Sequence, residues 1–304
     1  MKTCAEGKIP VVFDTDIGSD IDDTWALTML LKSPELDVKL VVSDTGNTTY
    51  RAKIAAKMLE IAGRTDVSVG IGVHQSNRRG RQYEWVKNYE LDSYAGTVYS
   101  DGVEALIETI MNSPDPITLI CTGPVTNIAA ALLREPKIAE KARFVGMHGC
   151  IRRRHMGDVI AEYNVRSDPK ALQKVFAAAW DITITPLDTC SFVKLRKEKY
   201  KAVWECRDPL VQALMENYRI WLKSSSESWR KTWETESSIL FDTVAVYLAF
   251  SEDLLVMEEL GVKVTDDGYT VIDDEARTVR CATEWKDLSA FEDFLVERLT
   301  GRQL

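Results

Sequence analysis

Along the first 190 positions, apolar residues fall into short blocks, and between the blocks they recur at helical spacing. Six blocks rich in Val, Ile, Leu and Phe predict strands at 9–14, 38–42, 67–71, 117–121, 144–147 and 182–186. The stretches near 22–32, 50–62, 102–112, 126–134 and 168–178 repeat apolar side chains with the period of a helix that buries one face. Strand, helix, strand repeated in this way requires right-handed crossovers, so the expected fold is α/β, a mainly parallel central sheet with helices on both faces. Beyond Asp188 the pattern turns mostly helical, at about 196–204, 208–223 and 239–250. A hairpin around Asp266-Asp267-Gly268, with strands at 262–264 and 277–281, and a helix over 287–299 close the chain. No Pro- or Gly-rich linker interrupts it, so residues 1–304 are expected to form a single domain with the helical C-terminal part packed on the sheet.

Composition adds limits to this picture. With 45% hydrophobic and 28% charged residues, the chain can bury a sizeable core. Its 38 basic and 47 acidic residues give a net charge of −9, which argues against nucleic acid or a membrane surface as partner. No apolar run is long enough to span a bilayer, and Met1-Lys2-Thr3-Cys4 lacks the stretch that opens a signal peptide, so a cytoplasmic location is expected. The six cysteines are scattered without a C-x-x-C pair, which suggests neither a disulfide framework nor a thiolate metal site. Arg152-Arg153-Arg154 is expected to be a solvated loop, the alternative being a phosphate or partner contact.

The chemistry is concentrated after the first strand. In Asp14-Thr15-Asp16-Ile17-Gly18-Ser19-Asp20-Ile21-Asp22-Asp23, five aspartates occupy ten positions where a buried strand hands over to an apolar helix. Carboxylates so close repel one another unless protons, hydrogen bonds or a cation offset the charge. Helix capping accounts for one or two of them, not for five. The local donors are hard oxygens, which favours calcium or magnesium, and calcium's looser geometry makes it the better expectation. An EF-hand is excluded because the loop follows a strand and Trp25 stands where its glutamate would be.

This loop resembles the D-x-D-x-G-x-D-D turn of the inosine-uridine-preferring nucleoside hydrolase family, lengthened here by two residues. Four further segments resemble that family in the same order: Asp44-Thr45-Gly46-Asn47, Thr122-Gly123-Pro124-Val125-Thr126-Asn127, Ala161-Glu162-Tyr163-Asn164 and Phe241-Asp242. The resemblance implies hydrolysis of the N-glycosidic bond of a ribonucleoside by a metal-activated water. It implies that Asp16, Asp23, Asp242 and the Thr126 carbonyl bind calcium, with Asp16 also taking the proton of the water. It implies that Asp22, Asn164 and Asp242 grip ribose hydroxyls, that Asn47 faces the site and that Glu162 reaches toward the 5′ end. Glu162 and Asn164 suit this as alternate residues of an extended segment. A homo-oligomer, dimer or tetramer, is implied as well.

The chain departs from the family pattern on the leaving-group side. Several members carry a histidine before the late aspartate as acid to the departing base; here the residue is Phe241. Stacking by Phe241 with Trp229 or Trp233 is the expected substitute, and it favours a purine. His148 is the other candidate donor near the site, and Tyr83 and Trp85 fall in a polar insert over 74–101 that reads as a lid over the base. Two other readings predict different things. A haloacid-dehalogenase-type phosphatase would use Asp14 as nucleophile with magnesium, and a non-catalytic member of the fold would only bind a nucleoside or another ribosyl ligand.

Overall fold

The computed structural model describes residues 7–224 and 234–302. Ten strands form one mixed, mostly parallel sheet in the order β4-β3-β2-β1-β5-β6-β7-β10-β8-β9. They are β1 (Ile9–Thr15), β2 (Leu36–Ser43), β3 (Ser68–Ile71), β4 (Val98–Tyr99), β5 (Ile117–Cys121), β6 (Ala142–Met147), β7 (Ile182–Thr185), β8 (Leu255–Val264), β9 (Thr270–Ile272) and β10 (Thr278–Trp285). Within the sheet, antiparallel pairing among the described residues is confined to β10 with β8 and β8 with β9. The predicted strands and crossover helices are all present. The hairpin is longer than expected: Asp266-Asp267-Gly268 joins β8 to β9, and β10 pairs back along the other edge of β8.

Alternation along β1 divides the core into two layers. Val11 and Phe13 enter the layer built on Trp25, Tyr218 and Phe291, while Val12 enters the layer built on Leu106, Phe144 and Leu172. The helix Asp22–Leu31 is buried from Asp22 to Leu30 and touches the helices Pro209–Lys223, Thr243–Leu248 and Leu288–Thr300, which is how the C-terminal part covers that face. Among the described residues no helix is long and apolar enough to cross a membrane.

Chain order creates the place for a site. From β1 the chain steps outward through β2, β3 and β4, then crosses back to β5 on the other side of β1 and steps away through β6 and β7. The loops leaving β1 and β5 therefore diverge and leave a crevice at the carboxyl ends of these strands. All five aspartates of the acidic segment lie at that end of β1.

Candidate active site

The lengthened loop after β1 is braced at each of its backbone carbonyls. The Ser19 hydroxyl donates to the Asp16 carbonyl at 3.1 Å, and Arg51 Nη1 donates to that of Ile17 at 3.0 Å. The Tyr50 hydroxyl reaches the Gly18 carbonyl at 2.9 Å, Trp221 Nε1 the Ser19 carbonyl at 3.2 Å, and Gln82 Nε2 the Asp20 carbonyl at 2.8 Å. Two glycines let the loop lie this close to its neighbours. Gly18 has φ +108°, and a Cβ there would stand 2.7 Å from the Tyr50 ring. A Cβ on Gly123 would stand 2.9 Å from Asp16. Asp16 is held by Ser19 Oγ at 2.7 Å and faces the Arg51 guanidinium at 3.6 Å. Arg51 thus anchors both the loop and the carboxylate, and, with Asp16 expected to take the proton of the attacking water, Arg51→Met is expected to lower kcat about 10- to 100-fold. Steady-state kinetics beside a melting curve checks this, since a general loss of fold would also lower Tm.

Asp22, Asp23 and Asp242 converge so that one oxygen of each lies within 4.8 Å of the others, all three buried. The hydroxyls of Thr15 and Thr122 both donate to Asp23 Oδ1. Burial, then repulsion from the neighbouring aspartates, pushes all three carboxyls well above the usual carboxylate range. Two hydroxyl donors cannot offset such a cluster, whereas a divalent cation with hard-oxygen preference fits its donor set. Asp14 lies beneath the site, fully buried, with Oδ2 accepting from Asn127 Nδ2 at 2.9 Å and Oδ1 from the Cys121 thiol at 3.6 Å. Burial raises it to about 7. A carboxyl so enclosed has no access to a phosphoryl group, which removes the phosphatase reading.

These carboxylates form the floor of a cavity of about 490 Å³, a volume suited to a nucleoside-sized ligand. Asp16, Asp22, Asp23, Glu162, Asn164, Phe241 and Asp242 all line it. Asp242 reaches it because residues 239–242 are not helical; the helix expected over 239–250 is confined to Thr243–Leu248. Glu162 and Asn164 do not lie on an extended segment either. Glu162 caps the short helix Tyr163–Ser167, accepting from the amides of Asn164 at 2.8 Å, Val165 at 3.2 Å and Gly149 at 3.1 Å. Burial nevertheless raises its carboxyl to about 7. Asn164 spends both amide hydrogens on the carbonyls of Thr122 and Met147, at 2.9 and 3.0 Å, so only its Oδ1 is left to meet a ligand.

Other expected residues lie elsewhere. Thr126 opens the helix Thr126–Arg134, off the cavity, whereas Thr122, the residue directly after β5, lines it. The Thr122 carbonyl accepts from Asn164 Nδ2, on another cavity residue, whereas Thr126 is already within the helix. Asn47 caps the helix Thr48–Ile61 by accepting from the Tyr50 amide at 3.0 Å and does not line the cavity. His148 is fully buried, with Nε2 3.1 Å from the Gly123 carbonyl, and burial lowers it to about 4, so it is neutral at neutral pH. Trp85 is no lid: it is buried, its Nε1 bonded to Glu216 at 3.2 Å, and Tyr83 packs on Tyr50. Trp229 and Trp233 lie outside the described residues.

Arg81, Arg154, His155 and Tyr163, which the sequence did not mark as site residues, also line the cavity. Of the basic run, Arg152 pairs with Glu258 at 2.6 Å and Arg153 stands 3.8 Å from Glu284, as a solvated loop would have it, while Arg154 turns to the cavity. A histidine directly after three arginines was the available signal for this loop.

A buried aspartate cluster at the switch point of a parallel sheet, lining a ligand-sized cavity, is the arrangement of an α/β enzyme site built for a cation and a small ligand. The sequence profile of the inosine-uridine preferring nucleoside hydrolases matches residues 11–293, and the chain belongs to that family. It is 28% identical to the pyrimidine-specific ribonucleoside hydrolase RihA of Citrobacter koseri, over 96% of this chain and 98% of that protein. Among solved structures it is similar to a plant nucleoside hydrolase (TM-score 0.83, 23% identity, 97% of this chain and 100% of the other). A purine-preferring ribonucleoside hydrolase from Gardnerella vaginalis is also similar (TM-score 0.80, 22% identity, 96% and 98%). The chain is accordingly an enzyme of nucleoside hydrolysis.

Proposed function

We propose that this enzyme is calcium-dependent, releases free base and ribose from ribonucleosides, and prefers purines. The observation that carries the reading is the convergence of Asp22, Asp23 and Asp242 beneath a cavity whose remaining wall includes Phe241, Leu187, Ile239 and Met156. The floor suits a polyhydroxylated ribose and the apolar wall a flat base. Asp16, Asp23, Asp242 and the Thr122 carbonyl would hold the cation, with Asp22 beside it. When bound, the cation offsets the carboxylate charge and makes a ligated water more acidic.

The chain's own groups do the rest. Asp16, oriented by Ser19 and Arg51, accepts the proton of the water that attacks the anomeric carbon. Asp22 and the Asn164 Oδ1 accept hydrogen bonds from ribose hydroxyls, which fixes the anomeric carbon over the water. Glu162 faces the 5′ side. Phe241 packs on the base and supports the purine preference, although the relatives divide on this point between the pyrimidine-specific RihA and the purine-preferring Gardnerella enzyme. Free ribose assayed from inosine, adenosine, guanosine, uridine and cytidine tests the proposal. The expected result is release from the purines at kcat/KM above that of the pyrimidines; equal or faster release from uridine overturns the purine preference, and none from any nucleoside overturns the activity.

A further inference from the structure

Phe241 lines the cavity beside Asp242 and has no proton to give, so an acid for the departing base must come from elsewhere on the wall if the enzyme supplies one. Two of the three histidines are out of reach. His148 is buried and neutral beneath the site, and His74 is bonded to Asn77 at 3.0 Å in a segment off the cavity. His155 is on the wall, and among the described residues neither of its ring nitrogens has a protein hydrogen-bond partner.

Its loop is held in place. The Asp188 carboxylate accepts the amides of Ile151 at 2.8 Å, Arg152 at 2.7 Å and Arg153 at 3.2 Å, and the Ser191 hydroxyl accepts the amide of His155 itself at 2.8 Å. The imidazole stands edge-on to Phe192, ring centres 5.4 Å apart. The other donors on that wall suit the task less well. The guanidinium groups of Arg81 and Arg154 and the phenol of Tyr163 are side-chain types less often used as acid to a leaving group than imidazole. Imidazole is the side chain whose ordinary titration range spans neutrality.

We propose that His155 is the acid that protonates the leaving base. This rests on the hydrolase reading of the same cavity. As the C1′–N bond breaks, its electron pair passes to the base, and the His155 imidazolium gives its proton to a ring nitrogen or carbonyl oxygen of that base, which leaves neutral. The water oxygen bonds to C1′ and its proton passes to Asp16; Asp16 then releases that proton to solvent and solvent returns one to His155, so that nucleoside and water give ribose and base.

The test compares inosine with 4-nitrophenyl ribofuranoside, whose leaving group departs as a stable anion and needs no acid. For His155→Ala the expected result is a loss of about 10²-fold or more in kcat on inosine, within the range for general acid catalysis, and less than threefold on the nitrophenyl riboside. Equal losses on both substrates for His155→Ala, or no loss on inosine, would each overturn the assignment. A wild-type enzyme inactive on both substrates would instead overturn the hydrolase reading, and a melting curve of the variant separates loss of fold from loss of acid.

Discussion

Asp16→Asn is expected to lower kcat on the best nucleoside by about 10²–10⁴-fold, the range that a positioned general base supplies, with little change in folding. Asparagine keeps the shape, and its Oδ1 can still accept from Ser19 Oγ, now 2.7 Å from Asp16 Oδ2. The side chain can no longer take a proton from water. Because the contact to Arg51 is 3.6 Å and both side chains are buried, removing the charge leaves a guanidinium whose other donors remain bonded to the carbonyls of Ile17 and Thr45. Stability should therefore fall far less than activity. Steady-state kinetics with a melting curve on the same preparation decides between the two effects. A variant that retains more than a tenth of the wild-type kcat would remove Asp16 from the proton transfer.

The second large effect is on stability. Asp22, Asp23 and Asp242 all have folded-state pKa values well above the ordinary carboxylate range, through burial and mutual repulsion. Asp14 is raised to about 7. Between the ordinary range near 4 and these raised values, the folded chain binds more protons than the unfolded one, so folding stability falls as pH rises. A cation that binds only the folded, ionised cluster reverses the loss by mass action. In chelator, Tm is expected to drop from pH 5.5 to pH 8, and the gain in Tm on adding calcium is expected to be larger at pH 8 by about 2 °C or more, the shift that ~1 kcal/mol produces in a chain of this size. Asp23→Asn removes one of the repelling charges while its Oδ1 can still accept from Thr15 and Thr122. It should raise Tm in chelator and remove most of the calcium increment. A calcium increment that is the same at both pH values would mean that the carboxylates do not hold the ion.

Local pattern carried much of this architecture. β1 could be read because Val11, Val12 and Phe13 face two apolar layers, which makes a continuous hydrophobic run, and the crossover helices could be read because each buries one stripe. The aspartates after β1 were legible for the same reason that they are costly, since nothing in the sequence nearby could neutralise them. What escaped depends on contacts distant in sequence. Arg51, Tyr50, Gln82 and Trp221 brace the loop after β1 from three other segments, and no local spacing announces that. Thr122 and Thr126 both follow β5 closely, and only the position of the strand's end separates the residue that lines the cavity from the one inside the helix. β4 has two residues, too few to show a period. His155 was hidden among arginines because the loop that carries it is held by Asp188 and Ser191, more than thirty residues away.

The most direct test of the metal-dependent hydrolytic site is ribose release from inosine by protein stripped with a chelator and then titrated with calcium or with magnesium. The account predicts no detectable release without metal, and recovery with calcium to a larger rate than with magnesium. Full activity in excess chelator, with the cluster intact and the protein folded, would contradict it.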